Sequence, residues 1–250
     1  MSGGSGDGGT ADRRSHEGVR SRDRRVGPRS RRSGSAPRGR PHDHRRMHES
    51  HWSRSDAVAV LDAPERRTTQ DPVRLWKEVD LAEGEVVVDV GAGSGFFSFP
   101  ASDLVGPRGH VFAVDVSRDL VDLLRERSEG RRFRNVEAVL STARHIPLED
   151  AAADVVLLAN VLHGLPPSTL DEAVRTLRPG GRLVNVDWKK TPTPEGPPVK
   201  HRLSPAEAAR ALSARGLRPR RSFDLGPSHY VLVFERPRPA RHPSRLVSAE

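Results

Sequence analysis

The sequence predicts an α/β protein: a mostly parallel sheet with helices on both faces. Three observations carry that expectation. Short β-branched runs such as Glu85-Val86-Val87-Val88-Asp89-Val90 recur between glycines. Helix-forming stretches alternate with them, the rhythm of βαβ units wound in both directions. After residue 190 the rhythm stops, and two strands joined through Gly226-Pro227 read as a closing antiparallel hairpin.

Each element has its own local reason. Ala57 to Leu61 and Pro72 to Val79 read as short helices ahead of the main domain. The first strand, Glu85 to Val90, lies between Gly84 and Gly91, and a helix is expected from Gly95 to Val105. His110 to Asp115 is a second strand, and Ser117 is placed to cap the amphipathic helix Arg118 to Ser128. Asn135 to Leu140 and Asp154 to Ala159 are the third and fourth strands. A short helix near Val161 and another from Ser168 to Leu177 follow. Pro179-Gly180-Gly181 turns into a fifth strand, Arg182 to Trp188. Ser204 caps an Ala-rich helix, Pro205 to Ala214, which Gly216 ends. Arg220 to Asp224 and His229 to Glu235 form the hairpin.

The 250 residues divide by composition. Residues 1–46 hold five apolar side chains against nine Gly, seven Ser and thirteen Arg, and carry eight of the nine net positive charges. Such a stretch buries too little surface to offset its ordering entropy, so it is expected to be a disordered basic tail, as is 237–250. A single domain is expected over 47–236. Met47, where the composition turns globular, is expected to be the true or an alternative start. The absence of cysteine excludes disulfides, thiolate nucleophiles and cysteine-based metal sites. The longest apolar run, Val155 to Leu162, falls well short of a membrane span, and no apolar stretch follows the N-terminal charges. A cytoplasmic protein without membrane insertion is expected.

The chemistry is concentrated in Asp89-Val90-Gly91-Ala92-Gly93-Ser94-Gly95-Phe96. A buried strand runs through three alternating glycines into a helix, which lets backbone N–H groups approach a ligand. The dinucleotide fingerprint places its third glycine where this chain has Phe96, which weakens a nicotinamide reading. Asp115, ending the second strand, suits a ribose diol in either cofactor. Asp89 suits a ligand with a cationic amino group near the glycines, as in S-adenosylmethionine (SAM).

The glycine segment, Val114-Asp115, the strand Asp154 to Asn160 and Leu177-Arg178-Pro179-Gly180-Gly181 together resemble the motifs of class I SAM-dependent methyltransferases. Within that superfamily the chain is most similar to the small-molecule branch that includes the ubiquinone/menaquinone C-methyltransferases. The likeness covers about residues 55–236. It implies a Rossmann-like, doubly wound seven-stranded sheet of order 3-2-1-4-5-7-6 with strand 7 antiparallel. It also implies SAM as cofactor, held by Asp89, Gly91, Ala92, Gly93, Gly95, Asp115, Val116, Ser141, Thr142 and Asn160. Relatives often carry Asp-Ala after the third strand; Ser141-Thr142 stand there instead, so adenine contact falls to hydroxyls or backbone.

Methyl transfer demands mainly that a nucleophile be aimed at the methyl carbon, and a general base is needed only for a protonated acceptor. His163, after Asn160, is the candidate base, set against a histidine whose ring simply bonds a backbone carbonyl. Asp187 and Trp188 end the fifth strand beside it. No Asn/Asp-Pro-Pro-aromatic run follows the fourth strand, and the thiol route of arsenite methyltransferases lacks its cysteines. Nothing requires a metal, and His42 and His44 fall in the tail. A Pro-rich loop, Thr191 to Pro198, with Lys189, Lys190, Lys200, His201 and Arg202 around it, is expected to form a basic lid favouring a polar or anionic acceptor. The function expected is methyl transfer to an O, N or C atom of a small molecule. Two alternatives stay open: an RNA or protein methyltransferase anchored by residues 1–46, with weak nucleic-acid contact there, and a non-catalytic SAM-binding protein.

Overall fold

The computed structural model describes residues 54–239. The basic tail 1–46, His42, His44, Met47 and residues 240–250 lie outside the described residues.

Seven strands form one sheet in the order β3-β2-β1-β4-β5-β7-β6. They are β1 (Val86–Val90), β2 (His110–Asp115), β3 (Val136–Leu140), β4 (Ala153–Ala159), β5 (Leu177–Trp188), β6 (Arg218–Leu225) and β7 (His229–Glu235). β1 to β5 pair in parallel, and β7 runs antiparallel to both β5 and β6. The helices are α1 (Arg54–Leu61), α2 (Pro64–Thr69), α3 (Pro72–Glu78), α4 (Ser98–Val105), α5 (Arg118–Glu129), α6 (Pro167–Thr176) and α7 (Pro205–Ser213).

The central strands are apolar on both sides because helices cover both. Val88, Val156, Leu158, Tyr230 and Leu232 pack against Leu170 and Ala173 of α6 and Ala208 and Leu212 of α7. Val87, Val155, Leu157, Val184 and Val231 meet Leu75 and Trp76 of α3, Phe97 just before α4 and Ala101 within it. The edge strand β6 is exposed at Arg218, Pro219, Arg220 and Arg221, residues that discourage pairing with a further strand. Among the described residues no helix is long and apolar enough to cross a membrane.

Four local expectations need correction. α2 forms where no helix was expected, with Pro64 in its first turn. α4 begins at Ser98, because Gly95 sits at φ +84° and keeps the backbone out of helical geometry. β5 begins at Leu177: the Arg-Pro-Gly-Gly segment is drawn into the sheet, with Gly180 N donating to Arg236 O (2.7 Å) and Arg236 N to Gly181 O (2.9 Å). Ser117 stands at the N-cap of α5 but its hydroxyl caps nothing; Asp115 accepts its backbone N–H instead, at 2.9 Å. The cap at α7 holds. The Ser204 hydroxyl accepts from Glu207 N, and the Glu207 carboxylate accepts from Ser204 N.

Candidate functional site

The carboxyl ends of β1, β2 and β4 meet where the strand order reverses, which is where open α/β sheets bind ligands. Asp89, next to last in β1, is 1% exposed. Its Oδ2 accepts from Ser98 Oγ (2.6 Å), while Oδ1 is buried without a partner. Burial is the main cause that pushes this carboxyl up to about 6. The half-buried Arg66 of α2 supplies a partial counter-charge. Its Nη1 donates to Leu61 O (2.8 Å) and its guanidinium lies 4.1 Å from the Phe96 ring centre. Burial, opposed by Asp89 and Asp62, lowers that guanidinium to about 10.

Gly91, Gly93 and Gly95 all have positive φ, at +75°, +60° and +84°. Gly95 is the tightest, since a Cβ there would lie 2.3 Å from Phe99 Cε2. The N–H groups of Gly91 and Ala92 donate to Val114 O at 2.8 and 3.0 Å, tying the loop to β2. Gly93 N donates to Asp115 Oδ2 at 2.9 Å. Each Asp115 oxygen therefore already accepts one backbone N–H, from Ser117 and from Gly93. Val116, next to it, is 60% exposed, a large apolar side chain left open to solvent.

Ser141 is buried and donates its N–H to Asp115 O (2.9 Å). Thr142 is exposed, and its hydroxyl accepts from the N–H groups of Arg144 and His145. Asn160 takes the left-handed conformation at φ +59°, rare outside glycine. It directs Nδ2 to Gln70 Oε1 (2.7 Å) and leaves a buried Oδ1 unpartnered.

His163 sits on a short 3-10 turn, Leu162–Gly164. Its Nδ1 lies 3.0 Å from Asp187 Oδ1 and 3.3 Å from Oδ2, so the ring meets a carboxylate and not a backbone carbonyl. Trp188 packs 4.1 Å, centre to centre, from the ring of His229. His229 is fully buried with both ring nitrogens unpartnered. Burial first, then the positive charge of Arg66, Arg202 and Lys189, holds its pKa down to about 3, leaving it neutral.

The lid differs from its expected form. Lys189 pairs with Asp224 (2.8 Å) and Lys190 with Glu207 (2.9 Å). Arg202 turns inward, 3% exposed, and gathers the loop by donating to the carbonyls of Pro197, Lys189, Thr191 and Glu195 and to Thr193 Oγ1. It is a structural pin for the loop, and two of the lysines that were expected to select an anionic acceptor are already neutralised.

Arg66, Gln70 and His229 were not singled out as site residues from sequence, and Arg202 was expected only as a basic lid residue. His229 alone had a usable signal, a histidine opening the apolar run Tyr230 to Phe234. Among the described residues, no group of three or more His, Asp or Glu side chains is placed to hold a metal.

Residues 81–209 match a family described as a methyltransferase domain. The crystal structure of a SAM-dependent methyltransferase from Aquifex aeolicus is 33% identical and superposes with a TM-score of 0.70, over 74% of this chain and 99% of that one. An arsenite methyltransferase of Halobacterium salinarum is 38% identical over 114 residues, covering 44% of this chain and 29% of that protein. A demethylmenaquinone methyltransferase of Oceanobacillus iheyensis is 27% identical over 113 residues, covering 44% of this chain and 48% of that protein. The chain thus spans less than half the length of either curated relative. With the sheet order, the glycine loop and the full-length structural relative in agreement, the chain belongs to the class I SAM-dependent methyltransferases, in a family resembling the ubiquinone/menaquinone C-methyltransferases.

Proposed function

We propose that this protein transfers the methyl group of SAM to an O, N or C atom of a small organic acceptor in the cytoplasm. The observation that carries the reading is Asp89, a buried carboxylate below the glycine loop with one oxygen unpartnered. An unpaired buried acceptor is costly, and a ligand ammonium group is the chemistry that would relieve it.

The residues fit the cofactor. Asp89 would hold its amino group, with Gly91, Ala92, Gly93 and Gly95 giving the close backbone approach. The carboxylate of Asp115 suits the ribose diol. The exposed Val116 offers an apolar surface to the adenine ring, and Ser141 and Thr142 edge the same end. Asn160, held open in a strained conformation, borders the reacting end. When bound, the sulfonium supplies both the methyl group and its leaving group. The protein's own part is to orient the two reactants and exclude water, which can account for ~7–11 kcal/mol of such a barrier.

The acceptors in the relatives' names, arsenite and demethylmenaquinone, share little chemistry. Trivalent arsenic favours thiolate ligands, and this chain has no cysteine, so an organic acceptor is the better match. Calorimetric titration of the full chain with SAM and, separately, with NAD tests the cofactor assignment. The expected result is SAM binding weakened tenfold or more by Asp89→Ala and by Asp115→Ala, with no heat from NAD. A folded protein that ignores SAM would overturn it.

A further inference from the structure

Asn160 closes β4 in a left-handed turn, and the 3-10 turn Leu162–Gly164 follows, fixed by the buried Leu162 and by Gly164 N donating to Val161 O (2.9 Å). In the neighbouring strand Ala159 pairs with Val186, so Asp187 stands one residue beyond the end of β4. The two strand ends thus bring His163 against Asp187. The histidine side chain is 10% exposed and the aspartate 0%. Asp187 Oδ1 also accepts from Trp188 N at 2.8 Å, which fixes the carboxylate plane.

We propose that His163 and Asp187 form a proton-accepting dyad, and that the acceptor they serve is a neutral molecule bearing a phenolic or enolic hydroxyl. The proposal rests on the methyl-transfer reading above and names its substrate class. A carboxylate only accepts hydrogen bonds, so the Nδ1 that faces it carries the proton, and in the neutral ring Nε2 keeps its lone pair. No described residue bonds Nε2. A histidine kept merely for packing has no need of a buried carboxylate, whose desolvation is expensive. The other charged and titratable groups acting on Asp187 are Arg202, which already donates to five loop acceptors, and Tyr230, whose hydroxyl donates to Leu203 O (3.1 Å). Neither takes over the bond to His163.

Proton affinity selects the acceptor. A phenol, with a pKa of ~10, is acidic enough to give its proton to an imidazole when the transfer is concerted with methylation. An aliphatic hydroxyl, about as weak an acid as water, lies too far. Lys189 and Lys190, bound to Asp224 and Glu207, do not offer their charge to an anionic acceptor. In the step itself the acceptor oxygen forms a bond to the methyl carbon. The carbon–sulfur bond breaks with its electron pair left on sulfur, which becomes a neutral thioether. The hydroxyl proton passes to Nε2, and the imidazolium, balanced by Asp187, returns it to water.

Two measurements on the full chain test this. In nitrogen-15 NMR spectra His163 is expected to show a protonated Nδ1 and a bare Nε2, a preference lost in Asp187→Asn; the opposite tautomer in the wild type overturns the dyad. For activity the probes are 4-methylphenol, neutral at a pH of about 8.5, and 4-nitrophenol, already ionised there. His163→Gln is expected to slow methylation of 4-methylphenol by ~10²–10⁴, the range for a general base, and that of 4-nitrophenol at least tenfold less. Equal losses on both probes, or a wild type that binds SAM yet methylates neither, overturn the proposal while leaving cofactor binding intact. A wild type that does not bind SAM instead sinks the reading beneath it.

Discussion

Asp89→Asn separates the cost of the cofactor site from its use. Raising the Asp89 carboxyl from its ordinary 3.8 to about 6 corresponds, at ~1.36 kcal/mol per decade, to about 3 kcal/mol. The sign follows from proton binding. The folded carboxyl holds its proton more tightly than the unfolded one, so protonation favours the fold. Stability from this group is therefore lost as pH rises from about 4 through about 6, and the cost is complete at pH 7.5. At pH 4.5 roughly 2 kcal/mol of it is relieved. The asparagine variant keeps an acceptor for Ser98 but has no charge to desolvate, and its buried amide N–H groups cost about 1–2 kcal/mol at every pH. The decisive quantity is therefore a difference of differences. Urea unfolding should find the variant about 2 kcal/mol better placed relative to wild type at pH 7.5 than at pH 4.5. SAM affinity of the wild type should rise as pH climbs through about 6, and the variant should lack that rise. A stability difference that does not move with pH would refute the assignment of the cost to a buried, ionised Asp89.

His229 has the opposite sign: its folded pKa near 3 lies below the usual ~6.5, so the wild type should lose stability as pH falls below 6.5. His229→Phe should remove about 2–3 kcal/mol of that loss at pH 4.5, read by thermal unfolding, and an unchanged acid limb would count against it. Gly95→Ala should destabilise by more than ~2 kcal/mol, because it combines φ +84° with a Cβ 2.3 Å from Phe99. Its melting temperature should fall further than that of Gly130→Ala, where a Cβ meets nothing within 4 Å. Arg202→Lys should fail to hold the 189–202 loop, since an ammonium cannot span five acceptors in a planar fork. Limited proteolysis should cut the variant there and spare the wild type.

Most of the fold was legible because its signals are local. β2 and β7 coincide with their expected limits, and the others shift by a few residues at most, save β5. β5 escaped because Pro179-Gly180-Gly181 reads as a turn by composition, while long-range bonds from Arg236 draw it into the sheet. α2 escaped because Pro64 to Thr69 has no apolar stripe and is held from outside, by Arg66 against Phe96. The site was legible in its backbone part, where alternating glycines and two strand-end acids sit close together in sequence. Its covering groups were not. Gln70 meets Asn160 across ninety residues, and His163 finds Asp187 only once β4 and β5 are paired. A one-dimensional pattern can place a histidine near a strand end but cannot choose between a carbonyl and a carboxylate as its partner.

The kind of orphan group found at the candidate site argues for the same location independently of any motif. At the carboxyl ends of β1, β4 and β5 and the adjoining start of β7 stand Asp89 with an unpartnered oxygen, Asn160 with another and a left-handed backbone, and His229 with two bare nitrogens. The amino edge is tied by ion pairs, although Arg182 Nε and His110 Nε2 have no hydrogen-bond partner there and Asp80 and Ala151 are left-handed. Glu85 takes Arg182 in a two-pronged pair, Val86 N donates to Asp154, and Asp154 also receives Arg178. What sets the carboxyl edge apart is the kind of defect: among the described residues, Asp89 Oδ1 is the only buried carboxylate oxygen without a partner. Natural proteins tolerate strain and unpaired polar groups where a ligand completes them. That orphan acid is the feature that argues for a cation-bearing ligand at the carboxyl edge, whichever acceptor follows it in.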